Sequence, residues 1–131
     1  MKAFIYEIIA TAAAIDVVGS RTLKPFGLTP MTFNILNVLK DGPLSQRAIS
    51  DQVIVAASSI TFQVRQLQKK GLVQRRRSNA RTWCVSLTEQ GAEKRRLAES
   101  QMDQRIMQIL LEPDLIANAM KALQGLQNQL C

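Results

Sequence analysis

The sequence predicts a mainly α-helical chain that carries one small β-hairpin. Three observations support this. Apolar residues recur every three or four positions over most of the 131 residues, the spacing of amphipathic helices. Two short helical segments near the middle are separated by only a few residues around Ile54-Val55. Directly after them, two extended runs flank Ser78-Asn79-Ala80, a turn sequence because asparagine tolerates left-handed backbone angles. The length fits a single domain over 1–131, with no repeat, low-complexity tract or dividing linker.

Phe4, Ile5, Ile8, Ile9, Ala12 and Ile15 form one helical stripe, predicting a first helix over about 1–18 with a break from Gly19 to Leu28. Thr29-Pro30 is a helix start, a capping hydroxyl followed by a proline suited to the first turn. Asp41-Gly42-Pro43 ends that helix. Ser45 caps a short helix to about Val53 that buries Ala48, Ile49 and Val53. A further helix from Ala57 closes at Gly71, with Lys69 and Lys70 in its last turn, where cations suit the helix dipole. Leu72-Val73 and the alternating Trp83, Val85 and Leu87 are the two strands. A helix pair followed by such a ribbon is a winged helix-turn-helix, here over 29–88. Thr88 caps the next helix, whose stripe is Ala98, Met102, Ile106, Ile109 and Leu110. Pro113 restarts a last one with Ile116, Met120, Leu123 and Leu126.

The net charge is +7, from 17 basic against 10 acidic residues, which directs the chain to a polyanion or an anionic surface. Between Asp51 and Glu89 stand Arg65, Lys69, Lys70, Arg75, Arg76, Arg77 and Arg81, with no carboxylate. On a wheel of about 100° per residue, Val64 and Leu67 fall within about 40° of Ile60. Ser58, Phe62, Arg65 and Lys69 point the opposite way, flanked by Ser59 and Gln66. Amides and hydroxyls match base-edge donors and acceptors in a major groove, and an apolar ring can meet a thymine methyl. The predicted DNA-binding set is Ser58, Ser59, Thr61, Phe62, Arg65, Gln66, Lys69 and Lys70 on the helix, and Arg75, Arg77, Asn79 and Arg81 on the wing.

Other classes lose their parts. The chain has no histidine, hence no usual general base, Ser-His or Cys-His pair, or zinc site. No acid, base and nucleophile set converges, so neither enzyme, metal nor cofactor is expected. Cys84 and Cys131 make no disulfide framework and are expected to be inert thiols in a reducing cytoplasm. Glu7 and Asp16 interrupt the N-terminal apolar stretch. That argues against a secretory signal and leaves no run approaching the roughly 18 residues of a membrane span.

Three pieces of the sequence resemble the MarR family of bacterial transcriptional regulators: Ser58-Ser59-Ile60-Thr61; Leu67 with Lys70-Gly71-Leu72-Val73; and Leu87-Thr88-Glu89-Gln90-Gly91. The resemblance starts at Gly27-Leu28-Thr29-Pro30 and covers about half the chain by motif, most of the rest by helix order. It implies a homodimer with interlaced first and last helices, a pseudo-palindromic DNA operator and, in many members, release by a small ligand held between the lobes. The recognition helix is then the one from Ala57, and the wing runs from Gln74 to Trp83. Three positions depart from the family pattern. Asn79-Ala80-Arg81 replaces its Asp-x-Arg and loses an ion-pairing carboxylate. Phe62 replaces a polar or basic residue, and Ala56 stands where a capping side chain is usual.

The apolar stripes exceed what a small winged lobe can cover. Dimerisation through 1–18 and 91–131 is expected to bury Phe4, Ile5, Ile8, Met102, Ile106, Ile109, Leu110, Ile116, Met120, Leu123 and Leu126. Tyr6, Phe26, Met31, Phe33 and Trp83 suit either the wall of an effector cavity or plain core. The expected function is a dimeric repressor of specific duplex DNA. The two rivals are an architectural protein coating DNA with little sequence choice, and an adaptor that binds an acidic protein.

Overall fold

A computed structural model of the chain describes residues 2–79, 82–111, 121 and 124. Of the expected last helix only Lys121 and Gln124 are described, both helical; its Ile116, Met120, Leu123 and Leu126 lie outside these residues, as do Arg81, Cys131 and the side chains of Ile109 and Leu110.

Helix α1 (Lys2–Leu23) is 22 residues long and does not break at Gly19. Glycine weakens a helix by only about 1 kcal/mol relative to alanine, and packing overrides that here. Gly19 is buried, and a Cβ there would stand 3.5 Å from Met102 Cε on the last described helix. The residue permits a close helix crossing, so the first segment extends past its expected end at 18.

A short 3-10 turn (Lys24–Phe26) leads to α2 (Pro30–Val38). Thr29 caps α2: its Oγ1 accepts from the Thr32 N–H at 3.2 Å, and Thr32 Oγ1 accepts from the Thr29 N–H at 2.8 Å. Leu44 and Ser45 then form a two-residue strand, β1. Ser45 also caps α3 (Gln46–Val53), accepting from the Ala48 N–H at 3.1 Å. Ile54 ends α3 in a left-handed conformation, φ 55° and ψ 53°, which costs a β-branched residue on the order of 1–3 kcal/mol. The turn is held in that shape because Ser50 bonds the Val55 carbonyl through its hydroxyl and the Val55 N–H through its own carbonyl.

Helix α4 (Ala57–Lys69) directs Ile60, Val64 and Leu67 inward, as the wheel requires, and all three are buried. Gly71 follows at φ +74°, where any Cβ would be strained. Strands β2 (Val73–Arg77) and β3 (Trp83–Leu87) pair antiparallel, with Arg75 opposite Val85 and Arg77 opposite Trp83. β1 pairs on the far side of β3, Leu44 with Val85, giving the order β1-β3-β2. The expected two-stranded hairpin is therefore a three-stranded sheet. Two residues are too few to print a period-2 signal in sequence.

Thr88 joins the wing to α5 (Glu89–Leu110). Its N–H bonds the Leu72 carbonyl at 3.1 Å, its hydroxyl donates to the Gly71 carbonyl at 2.6 Å, and the same oxygen accepts the Gly91 N–H at 3.0 Å. Arg95 of α5 reaches Asn37 of α2 at 3.3 Å and pairs with Glu99 at 2.7 Å. Leu23, Ile35, Leu36, Ile49, Leu72 and Val85 complete the core with the inner face of α4, each stabilising the fold by about 1.5–3 kcal/mol through burial.

The surplus apolar face stands on α1. Ile5 and Ile8 are 47% exposed and Tyr6 is 69% exposed, whereas Phe4 is half-buried. On α5, Met102 packs against the protomer's own core and Ile106 is half-buried. Because α1 continues through Gly19, the helical stretch Lys2–Phe26, with mean hydropathy 1.6, is by length and composition long and apolar enough to cross a membrane. This corrects the expectation that no segment reaches that length; Glu7 and Asp16 are too few to lower the average of an alanine- and isoleucine-rich helix.

Candidate nucleic-acid interface

The outer side of α4 carries Ser58, Phe62, Arg65 and Lys69, all exposed, with Phe62 at 59%. Helix periodicity alone puts them there, since the opposite residues are held in the core. Thr61 and Gln66 are half-buried on the flanks. Ser59, also half-buried, turns its hydroxyl toward Met31 Sδ at 3.8 Å. The Lys70 ammonium donates to the Gly27 carbonyl at 2.7 Å, which ties the end of α4 to the loop before α2.

No side chain caps α4: Ala56 is the N-cap and makes no side-chain bond to the first turn. Neither Ser58 nor Ser59 takes over that role. Amides at an uncapped helix start favour an anion, by their own hydrogen bonds and by the helix dipole.

Gln46 connects α4 to the wing. Its Nε2 donates to Thr61 Oγ1 at 3.0 Å, and that oxygen donates onward to the Ala57 carbonyl at 3.1 Å. A recess of about 300 Å³ follows, lined by Ser45, Gln46, Arg47, Arg75, Thr82 and Trp83. Gln46 Oε1 and Arg75 Nε are buried without a hydrogen-bond partner among the described residues. Gln46 was not among the expected site residues. A glutamine just after a helix cap prints no signal in sequence, and only the packing of α3 against α4 gives it a role.

On the wing, directly opposed residues share a face. Val73 and Leu87, then Arg75 and Val85, then Arg77 and Trp83 lie on one side, and Arg76 with Cys84 on the other. Arg76 leans on Gln74, Nη2 to Oε1 at 3.4 Å. The Arg75 and Arg77 guanidiniums sit 4.9 Å and 5.1 Å from the Trp83 ring centroid. Trp83, considered in sequence for a cavity wall, is 41% exposed at the wing, and Tyr6 is exposed on α1. Phe33 is buried in the core, with Phe26 and Met31 packed against it. Asn79 Oδ1 accepts the Thr82 N–H at 3.0 Å, and the Ser78 N–H bonds the Thr82 carbonyl at 3.0 Å. The amide that replaces the family's carboxylate thus closes the turn by a neutral bond.

The cations are not all on one surface. Arg65 and Lys69 are exposed on α4, and Arg75 and Arg77 share the recess side of the wing, whereas Arg76 and Lys70 are engaged elsewhere. Among the described residues no cluster of His, Cys, Asp and Glu is suited to a metal.

Comparison with known proteins identifies this arrangement. The family model described as MarR family matches residues 26–81. Over 92 residues, 69% of this chain and 67% of the relative, the sequence is 32% identical to the HTH-type transcriptional regulator YwoH of Bacillus subtilis (strain 168). MarR of E. coli in its apo form has the same fold, with a TM-score of 0.74 at 22% identity over 91% of this chain and 93% of that one. CouR of Rhodococcus jostii RHA1, in a structure bound to p-coumaroyl-CoA, gives 0.73 at 23% identity over 91% and 87%. The helix pair, the ribbon and the Thr88–Gly91 junction, together with these matches, mean that the chain belongs to the MarR family of DNA-binding transcriptional regulators.

Proposed function

We propose that the protein is a homodimeric repressor that reads a pseudo-palindromic operator with the outer face of α4 and clasps the flanking backbone with the wing. As a member of a regulator family it is not an enzyme. The observation that carries the reading is the α4 surface: exposed Ser58, Phe62, Arg65 and Lys69 set opposite a fully buried Ile60 and Val64. That mixture of hydrogen bonders, cations and one apolar ring suits base edges and phosphates together. Phe62 donates no hydrogen bond, so its contribution is apolar contact and operator preference. Arg75, Arg77 and Asn79, with Arg81 two residues further along the sequence, serve the backbone or a narrow minor groove.

The proposed dimer is supported by the uncovered Ile5, Tyr6, Ile8 and Ile9 of α1, with exposures of 47–69%. Burying them against a second copy returns roughly 25 cal/mol per Å² of apolar area, and gives that face a protein partner instead of a bilayer. A twofold dimer sets two α4 helices against half-sites about one helical turn apart. The compartment proposed is the cytoplasm, where the DNA is. A small-molecule effector is supported by CouR, whose structure holds p-coumaroyl-CoA.

The test is selection of duplexes from a random pool by the full-length protein, followed by affinity for the selected and the shuffled sequence at fixed salt. A repressor of this type should prefer the selected duplex by about 10³-fold or more, with an inverted repeat in the enriched sequence. A ratio near one would favour the architectural reading, and no binding to any duplex would favour the adaptor.

A further inference from the structure

The wing holds two arginines against one aromatic ring, and among the described residues no carboxylate pairs with them. Arg75 and Arg77 lie two residues apart on the same strand face, so their like charges are neighbours. Both guanidinium carbons are about 5 Å from the centroid of Trp83, 4.9 Å and 5.1 Å, inside the range in which a ring's negative face attracts a cation. The segment supplies no Asp or Glu between Asp51 and Glu89. Among the described residues the two ion pairs, Arg95 with Glu99 and Arg96 with Glu93, both lie on α5. A carboxylate would fix an arginine but cancel its charge. An indole restricts the same side chain and leaves the charge whole.

We propose that Trp83 is a positioning residue for DNA binding: it holds Arg75 and Arg77 in an ordered array whose full positive charge meets the phosphate backbone. This rests on the reading of the wing as a DNA-contacting element. A free arginine loses rotamer freedom when it binds phosphate, whereas an arginine already stacked has little left to lose. Arginine suits the role because its delocalised, planar cation stacks on a ring, which a lysine ammonium cannot do.

The experiment measures affinity for a fluorescently labelled selected duplex by anisotropy, with thermal melts as a folding control. Trp83→Leu keeps an apolar strand residue and removes the ring; it should weaken binding about fivefold to twentyfold, while Trp83→Phe stays within about threefold of wild type. Placed on an Arg75→Ala/Arg77→Ala background, Trp83→Leu should change affinity less than about twofold, because its effect passes through those side chains. A full additional loss on that background would overturn the proposal, since Trp83 would then touch DNA itself or act on the fold. Equal losses for the Leu and Phe variants would overturn it as well. Arg75→Lys/Arg77→Lys, which keeps both charges, should bind several-fold more weakly than wild type; unchanged affinity would show that stacking contributes nothing. If Arg75→Ala/Arg77→Ala itself binds as tightly as wild type, the DNA-contacting wing fails and the proposal with it.

Discussion

Reversing the charge at Arg65 and Arg77 together is expected to lower affinity for a selected operator duplex by at least about 100-fold at physiological salt. Both side chains are exposed, one on the outer face of α4 and one at the end of β2. Each lost phosphate contact removes close to one released counterion from the binding equilibrium. Each new carboxylate adds repulsion of the backbone. In a dimer both changes occur twice, so the slope of log affinity against log salt should become shallower by about four. The thermal midpoint should move little, because neither residue supports the core and surface substitutions away from caps and networks usually stay within about 0.5 kcal/mol. Arg76→Glu is the internal control. Arg76 stands on the opposite face of the ribbon beside Gln74, and its reversal should cost markedly less. Equal losses for the Arg65/Arg77 pair and Arg76 alone would indicate attraction to overall charge rather than a defined surface.

Gly91→Ala is the substitution with the largest expected effect on the fold. A Cβ at this position would lie 1.8 Å from the Leu72 carbonyl oxygen and 2.8 Å from its carbon, and both are backbone atoms that no rotamer change can move. The same carbonyl accepts the Thr88 N–H, and Thr88 Oγ1 accepts the Gly91 N–H. Relieving the clash therefore means lifting the start of α5 off the base of the wing and breaking this junction. Overpacking of this kind typically costs about 1–3 kcal/mol and more where nothing can yield. With the lost hydrogen bonds the expected destabilisation is about 3 kcal/mol or above. Chemical denaturation of wild type and variant checks it, and an unchanged midpoint would mean that α5 does not approach Leu72 as closely as described. Glu89→Ala, two residues earlier and exposed, should be nearly silent in the same assay.

Much of this fold was legible in the sequence because local physics and tertiary packing agree. Thr29-Pro30, Ser45 and Thr88 each begin a helix as capping chemistry requires, and the α4 wheel sorted its buried and exposed sides correctly. The failures lie where distant packing decides. Gly19 read as a break but serves a helix crossing at Met102. The strand Leu44–Ser45 exists only because β3 offers it an edge. For the interface, sequence identified the segment, its charge and a cation set that already leaves out Arg76, but it grouped Lys70 with the other helix cations. Strand register and the Gly27 carbonyl separate Arg76 and Lys70 from Arg65, Lys69, Arg75 and Arg77. The link from Gln46 to Thr61 spans 15 residues and follows from no periodicity.

The most direct test of the central claim, that the outer face of α4 and the wing together carry the DNA, is hydroxyl-radical footprinting of the full-length protein with and without a selected duplex. Side-chain oxidation is read by mass spectrometry. Phe62 and Trp83, 59% and 41% exposed in the free chain, should lose most of their reactivity when the duplex binds. Leu97 and Met107, both exposed on α5, should keep theirs unchanged. Protection of Leu97 and Met107, with Phe62 and Trp83 as reactive as before, would contradict the account.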